Sequence, residues 1–243
     1  MKEIRQVYAN LGIQRQYRGR LDKLIHEMYI STLYWLSQGL SLNQVAEKIK
    51  KLSKQWQKRF GKEAPIIADW FVRSVKNNTL YGMQQAFYEQ GYYIKPRIKR
   101  EIEQAIRIEN EGLINSIPEK FFAGLLVLAM MGFQYGDDDL TKEIKKRYDM
   151  TERRAKVISE DQNHKANQIF KLSICENLGI TKGRWKYTWR SKEPRLSHIK
   201  ADGKIFDLKE GCKIDGKFIY PAEEYNCKCD FTPIITEFDD DNL

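Results

Sequence analysis

With 243 residues, 42% of them hydrophobic and 12% aromatic, the chain can bury a real core without a disulfide framework and does not read as disordered. Its 42 Lys and Arg stand against 33 Asp and Glu, a net charge of +9, and a mean hydropathy of −0.63 puts it on the polar side of soluble globular proteins. Residues 1–110 carry 20 basic against 10 acidic side chains, and the remainder 22 against 23.

A basic region of that size attracts polyanions such as nucleic acid through counterion release, and it also keeps a protein soluble. Lys and Arg are spread along apparent helices and not gathered into one run, which favours solvation over a dedicated binding stripe. The start, Met1-Lys2-Glu3-Ile4-Arg5-Gln6, has no apolar stretch ahead of a small-residue cleavage site. The protein is therefore expected in a reducing cytoplasm, where four cysteines serve as thiols or metal ligands.

Between Leu11 and Leu36, Leu21, Leu24, Ile25, Met28, Tyr29, Leu33 and Trp35 recur at three- and four-residue steps, the spacing of one buried helical stripe. Gly39 is placed to stop this helix and Ser41 to cap the next, which keeps Val45, Ile49 and Leu52 on one face and is expected to end at Gly61 and Pro65. A third helix is expected from Ile66 to Gln90, closed by Gly91. Pro96 opens a fourth, with Ile98, Ile102, Ala105 and Ile108 on its buried side and Pro118 at its end.

The apolar run Phe121 to Phe133 follows, thirteen residues, shorter than the ~20 a helix needs to cross a bilayer. It reads as a buried helix, and no membrane partner is expected. Gly136-Asp137-Asp138-Asp139 reads as a solvated turn and cap before Leu140. Thr151 and Glu152 are expected to begin the last long helix, and Gly179 to end it. Within it, His164 is read as an exposed helix histidine and Cys175 as a small apolar residue on a packed face.

After Gly179 the period changes to two. Trp185, Tyr187 and Trp189 alternate with Lys186, Thr188 and Arg190, which predicts a half-buried strand with an aromatic face; stacking on unpaired bases is the competing use of such a stripe. Short strands at Gly203-Lys204-Ile205-Phe206 and at Lys217-Phe218-Ile219-Tyr220 are separated by Asp-Gly turns. Asp239 to Leu243 form an acidic tail.

Three of the four cysteines and one of three histidines fall in this last region. Cys227 and Cys229 point to the same side of an extended strand, and with Cys212 and His198 they make a Cys3His set of the kind zinc takes tetrahedrally. The competing reading makes Cys227 and Cys229 buried thiols and His198 a loop-orienting hydrogen-bonding residue. Arg195, His198, Asp202 and Glu193 also lie close in sequence and offer a base and an electrophile for a metal-dependent nuclease, while an Arg-Glu pair locking a turn accounts for the same letters.

The order Trp185 and Trp189, Glu193-Pro194-Arg195-Leu196-Ser197-His198, Asp202-Gly203-Lys204-Ile205-Phe206, Pro221, Asn226-Cys227-Lys228-Cys229 and Pro233 resembles the C-terminal domain of the phage Mu protein F-like head morphogenesis family. Glu193 stands where that pattern has Asp, and Lys228 where it has Arg. The motif residues carried by the resemblance are Trp189, Glu193, Arg195, His198, Asp202, Gly203, Pro221 and Asn226. Other members carry Cys-x-x-Cys near the position of His198, which supports zinc as a cofactor because both residue types ligate it.

The resemblance spans about Thr151 to Pro233. It implies a minor head protein of a phage or prophage with no catalytic activity. Such a protein works with the portal and other capsid proteins in the bacterial cytoplasm during assembly, resides in the virion head, and has double-stranded DNA as a further partner. No small-molecule substrate is implied. A zinc-bearing DNA-binding protein outside any phage is the remaining alternative. The expected architecture is α+β: a helical region over 1–150, a long helix with a small β-rich module over 151–238, and the tail 239–243.

Overall fold

The structure, a computed structural model, describes residues 2–132, 138–188 and 194–235. Trp189 and Glu193 of the motif, Gly136 and Asp137 of the expected turn, and the tail 239–243 lie outside the described residues. In chain order the elements are β1 (Lys2–Glu3), α1 (Leu11–Leu36), α2 (Leu42–Tyr88), α3 (Arg100–Met130), α4 (Asp138–Asn177), β2 (Lys182–Lys186), α5 (Leu196–Lys200), β3 (Ile205–Asp207), β4 (Cys212–Ile214), β5 (Lys217–Ile219) and β6 (Asp230–Ile235). The class is α+β, with the long helices first and the small antiparallel sheets after them.

Several helix boundaries differ from those expected. Pro65 and Pro118 lie inside α2 and α3, and Thr151 lies inside α4, where its hydroxyl donates to the Arg147 carbonyl at 2.7 Å instead of capping an N-terminus. A proline inside a helix costs about 3 kcal/mol. Around Pro65 that cost is outweighed by one continuous buried stripe, Trp56, Phe60, Ala64, Ile67, Ala68 and Phe71, each large member of which contributes about 1.5–3 kcal/mol. The stops that do hold have the backbone geometry to enforce them: at the end of α4, Gly179 takes φ 69° and the Ile180 N–H returns to the Cys175 carbonyl at 2.9 Å.

The chain divides into two compact units. The first comprises Arg15–Trp70 and Arg107–Ser159, and its elements among the described residues are all helices. Its core holds Leu21, Ile25 and Met28 of α1, Ile49 and Phe60 of α2, Phe121 and Leu125 of α3, and Ile144 of α4. Tyr17 donates its buried hydroxyl to Asn110 at 2.8 Å, so the polar tip of a core aromatic is satisfied. Phe121 to Met130 of the run expected as a separate helix form the C-terminal part of α3; Phe133 lies outside the described residues. At 31 residues α3 is long and apolar enough to span a bilayer, and 39% of its most apolar window is buried. The length argument against a membrane partner therefore does not hold.

The other unit comprises Met1–Gln14, Phe71–Ile106 and Glu160–Leu243. Its four-stranded sheet has the order β1-β6-β2-β3, all antiparallel, with Trp185 opposite Phe231 and Gly183 opposite Pro233. The β4-β5 hairpin turns through Asp215 and Gly216, both at positive φ, as the Asp-Gly signal predicts. Trp185, Phe206, Phe231, Ile174, Cys175, Met83 and Phe87 share one apolar cluster that packs the sheet on the ends of α2 and α4. The N-terminal segment was not expected in the sheet: two residues of β1 pair with β6, and Asn10 caps α1 by accepting from the Gly12 and Ile13 N–H groups at 2.8 and 3.2 Å.

Candidate functional site

The predicted strand of alternating aromatics is real but ends at Lys186. Gly183 and Trp185 face the core, and Tyr187 lies beyond the strand, half-buried. Trp185 is completely buried and locked at both backbone groups: its N–H donates to the Lys204 carbonyl at 2.8 Å and its carbonyl accepts from the Gly203 N–H at 2.9 Å. Gly203 has φ 79°, and Asp202 accepts the Tyr187 N–H at 2.8 Å. Asp202 and Gly203 thus fold the loop after α5 back onto β2.

That fold sets His198 on α5 edge-on against the Trp185 ring, with centroids 5.5 Å apart at 85°. A second loop meets it from the other side. Ala222 and Asn226 both adopt left-handed φ, 63° and 57°, and the Asn226 N–H donates to Asp161 of α4 at 2.9 Å. Pro221 is buried at the start of this loop. Arg195 crosses to it, donating to the Tyr225 carbonyl at 2.9 Å and pairing with Glu224 at 3.4 Å.

The two loops bring His198, Cys227 and Cys229 together. His198 Nδ1 is 3.5 Å from each sulfur, all three residues are at most 3% exposed, and their donor atoms lie within 4.8 Å of one another. On the opposite edge of the ring, Nε2 lies 3.1 Å from Glu224 Oε2. A ring that gives its Nε2 proton to a carboxylate presents the Nδ1 lone pair to the sulfurs, as a carboxylate behind a metal-ligating histidine orients the ring. Cys212 is not part of this group; it is buried in β4 within the apolar cluster. Glu224 carries no periodic or spacing signal in the sequence and becomes visible only through the loop that holds it.

The thiols are unequal. Cys227 is pulled down to about 6, chiefly because it accepts the Cys229 thiol hydrogen bond, with backbone N–H groups and His198 adding to this against the effect of burial. Cys229 is pushed far up by donating that bond, by burial and by the neighbouring Cys227 charge. A cleft of about 360 Å³ lined by His198, Cys227 and Cys229 together with Thr188, Arg195 and Lys228 adjoins them. Lys228, half-buried, sits 3.9 Å from Glu160.

Of the residues considered for a nuclease, Asp202 is engaged in its turn, Arg195 in the Glu224 loop, and His198 between Glu224 and the thiols. Glu193, the expected partner of Arg195 in an Arg-Glu pair, lies outside the described residues; Arg195 pairs with Glu224, which the sequence reading did not single out.

Comparison with known proteins agrees with the resemblance read from the motif. Residues 130–232 match the family model described as Phage Mu protein F like protein, which takes in α4 and every element of the site. An uncharacterized protein of Haemophilus influenzae (strain ATCC 51907 / DSM 11121 / KW20 / Rd) is 29% identical over 209 residues, 80% of this chain. The chain spans 43% of that relative's own length. No solved structure matches.

Proposed function

Starting from a chain whose residues 130–232 are a Phage Mu protein F-like segment, we propose that it acts as a minor head protein of a phage or prophage, working with the portal in head morphogenesis. The match over that segment is the observation that carries this reading, and it covers the helix and loops that assemble the His198 site. The protein acts in the host cytoplasm during assembly and remains in the virion head. Its role is structural: residues 151–238 form the module that docks on capsid proteins, and no substrate is turned over.

The cationic first part of the chain suits an acidic portal surface or packaged duplex DNA. Lys and Arg exceed Asp and Glu two to one over residues 1–110, and phosphate neutralisation by such side chains is strongly salt-dependent.

The test is co-purification. Tagged chain expressed with the portal and capsid genes of its own replicon should appear in sedimenting heads and bring portal with it; heads that form normally and exclude the chain overturn the assignment. DNA contact is read separately by titrating duplex DNA at low and at physiological salt. Absence of binding at low salt removes that partner and leaves the head role intact.

A further inference from the structure

We propose that His198, Cys227 and Cys229 form a three-ligand site for a zinc-class divalent cation, without Cys212 and with its fourth position supplied from the adjoining cleft. This stands on the geometry alone, whether or not the chain works in a phage head. Zinc binds thiolate sulfur at about 2.3 Å and imidazole nitrogen at about 2.0–2.1 Å, so at tetrahedral angles the nitrogen and each sulfur stand about 3.5–3.6 Å apart. His198 Nδ1 lies 3.5 Å from Cys227 Sγ and 3.5 Å from Cys229 Sγ. Both nitrogen–sulfur separations are those a tetrahedral ion imposes, and all three donor atoms lie within 4.8 Å of one another.

One ring nitrogen faces two sulfurs while the other faces Glu224. A cation satisfies all three donors at once. Glu224, itself held by Arg195, keeps the imidazole turned the right way, as outer-shell carboxylates do for zinc-bound histidines.

Cys212, on β4, is absent from the set of mutually close donors. Among the described residues no other His, Cys, Asp or Glu joins that set. The three ligands all line the same cleft, so the remaining position falls to water or to a small ligand entering there. Three protein ligands with one exchangeable position is the pattern of an open zinc site, in contrast to the closed four-ligand structural kind.

The full chain, purified without chelator, is expected to carry one zinc per molecule by elemental analysis. Replacement with Co²⁺ alone should give tetrahedral visible bands and sulfur-to-cobalt charge transfer of two-thiolate intensity. Cys212→Ser should retain full occupancy and the same spectrum, while Cys227→Ser, Cys229→Ser and His198→Ala should lose it. Because those three variants can fail to fold, the wild-type protein is also titrated with chelator, and metal release must abolish the charge-transfer bands.

Glu224→Gln should weaken cobalt affinity about 10- to 100-fold with the saturated spectrum unchanged, which separates orientation of the ligand from packing. Azide added to the cobalt form should shift its bands. Metal-free protein that takes up no Co²⁺, a Cys227–Cys229 disulfide in the purified chain, loss of metal in Cys212→Ser, or bands indifferent to azide each overturn the assignment. Metal binding with no association to heads sinks the head role and leaves the site standing; the reverse result does the opposite.

Discussion

Lys171 on α4 and Asp230 at the start of β6 form an ion pair sealed from solvent, with Lys171 wholly buried and Asp230 nearly so. The same ammonium donates to the Phe231 carbonyl at 3.0 Å and lies 4.6 Å from the centre of the Phe231 ring. One lysine thus fixes the long helix to the strand that follows the two site cysteines. Breaking such a pair from one side leaves a buried charge, which costs about 3–5 kcal/mol, whereas apolar replacement of both partners is often near neutral. Lys171→Met is expected to lower the urea midpoint strongly and Lys171→Met/Asp230→Leu to recover most of the loss. Equal losses in the single and double variants would contradict this account.

Gly183 is confined by space and not by backbone angle. A Cβ there would sit 2.7 Å from Leu208 Cδ2 and 3.0 Å from Phe231 Cδ2. Overpacking of this kind costs about 1–3 kcal/mol. Gly183→Ala should lower the thermal midpoint, and its effect should shrink in a Leu208→Ala background, where the first clash is absent. Strict additivity of the two substitutions would show that the contact is not the cause.

Asn167 ties three chain segments with one amide: its Nδ2 donates to the Val7 carbonyl at 3.1 Å, and its Oδ1 accepts from Thr79 at 2.9 Å. Asn167→Asp keeps the acceptor and removes the donor, so the Val7 carbonyl loses its partner at a cost of about 1–3 kcal/mol. Amide exchange should speed up in residues 2–9 more than in β2. Uniform acceleration across the sheet would refute a local role for this bond.

Burial pushes the Cys175 thiol up to about 12, from an ordinary value near 9. A raised folded value favours the protonated form in the native state, so this contribution is complete below pH 9 and is lost as pH rises from 9 towards 12. The slope in that window approaches about 1.4 kcal/mol per pH unit for one group. Wild-type protein should lose stability across it faster than Cys175→Ala when both are unfolded in urea at stepped pH. Parallel curves would show that the thiol titrates normally.

Glu224 shows where reading of the sequence stopped. His198, Cys227 and Cys229 were identifiable as a ligand set because their residue types and the one-residue cysteine spacing carry chemistry in any fold that extends them. Cys212 was grouped with them on the same grounds, yet its place on β4 leaves it outside the set of mutually close donors. Glu224 reaches His198 through a loop bent at two left-handed residues that are not glycine, Ala222 and Asn226, and nothing in the local pattern announces such a bend.

The sequence by itself determined the class of the fold, the helical stripes, the aromatic strand and the Asp-Gly hairpin, because each depends on a period or a turn chemistry readable within a few residues. It broke α2 at Pro65 and ended α3 at Pro118, because a proline costs less than a continuous buried stripe contributes, and it started α4 at Thr151, a capping residue type that lies inside the helix. Only the tertiary structure decided that β1 joins the sheet, that Lys171 pairs with Asp230, and that Arg195, Glu224 and His198 align behind the two sulfurs. Those contacts link residues 26 to 233 positions apart in the chain, and burial against a shared core selects them where local preference is silent.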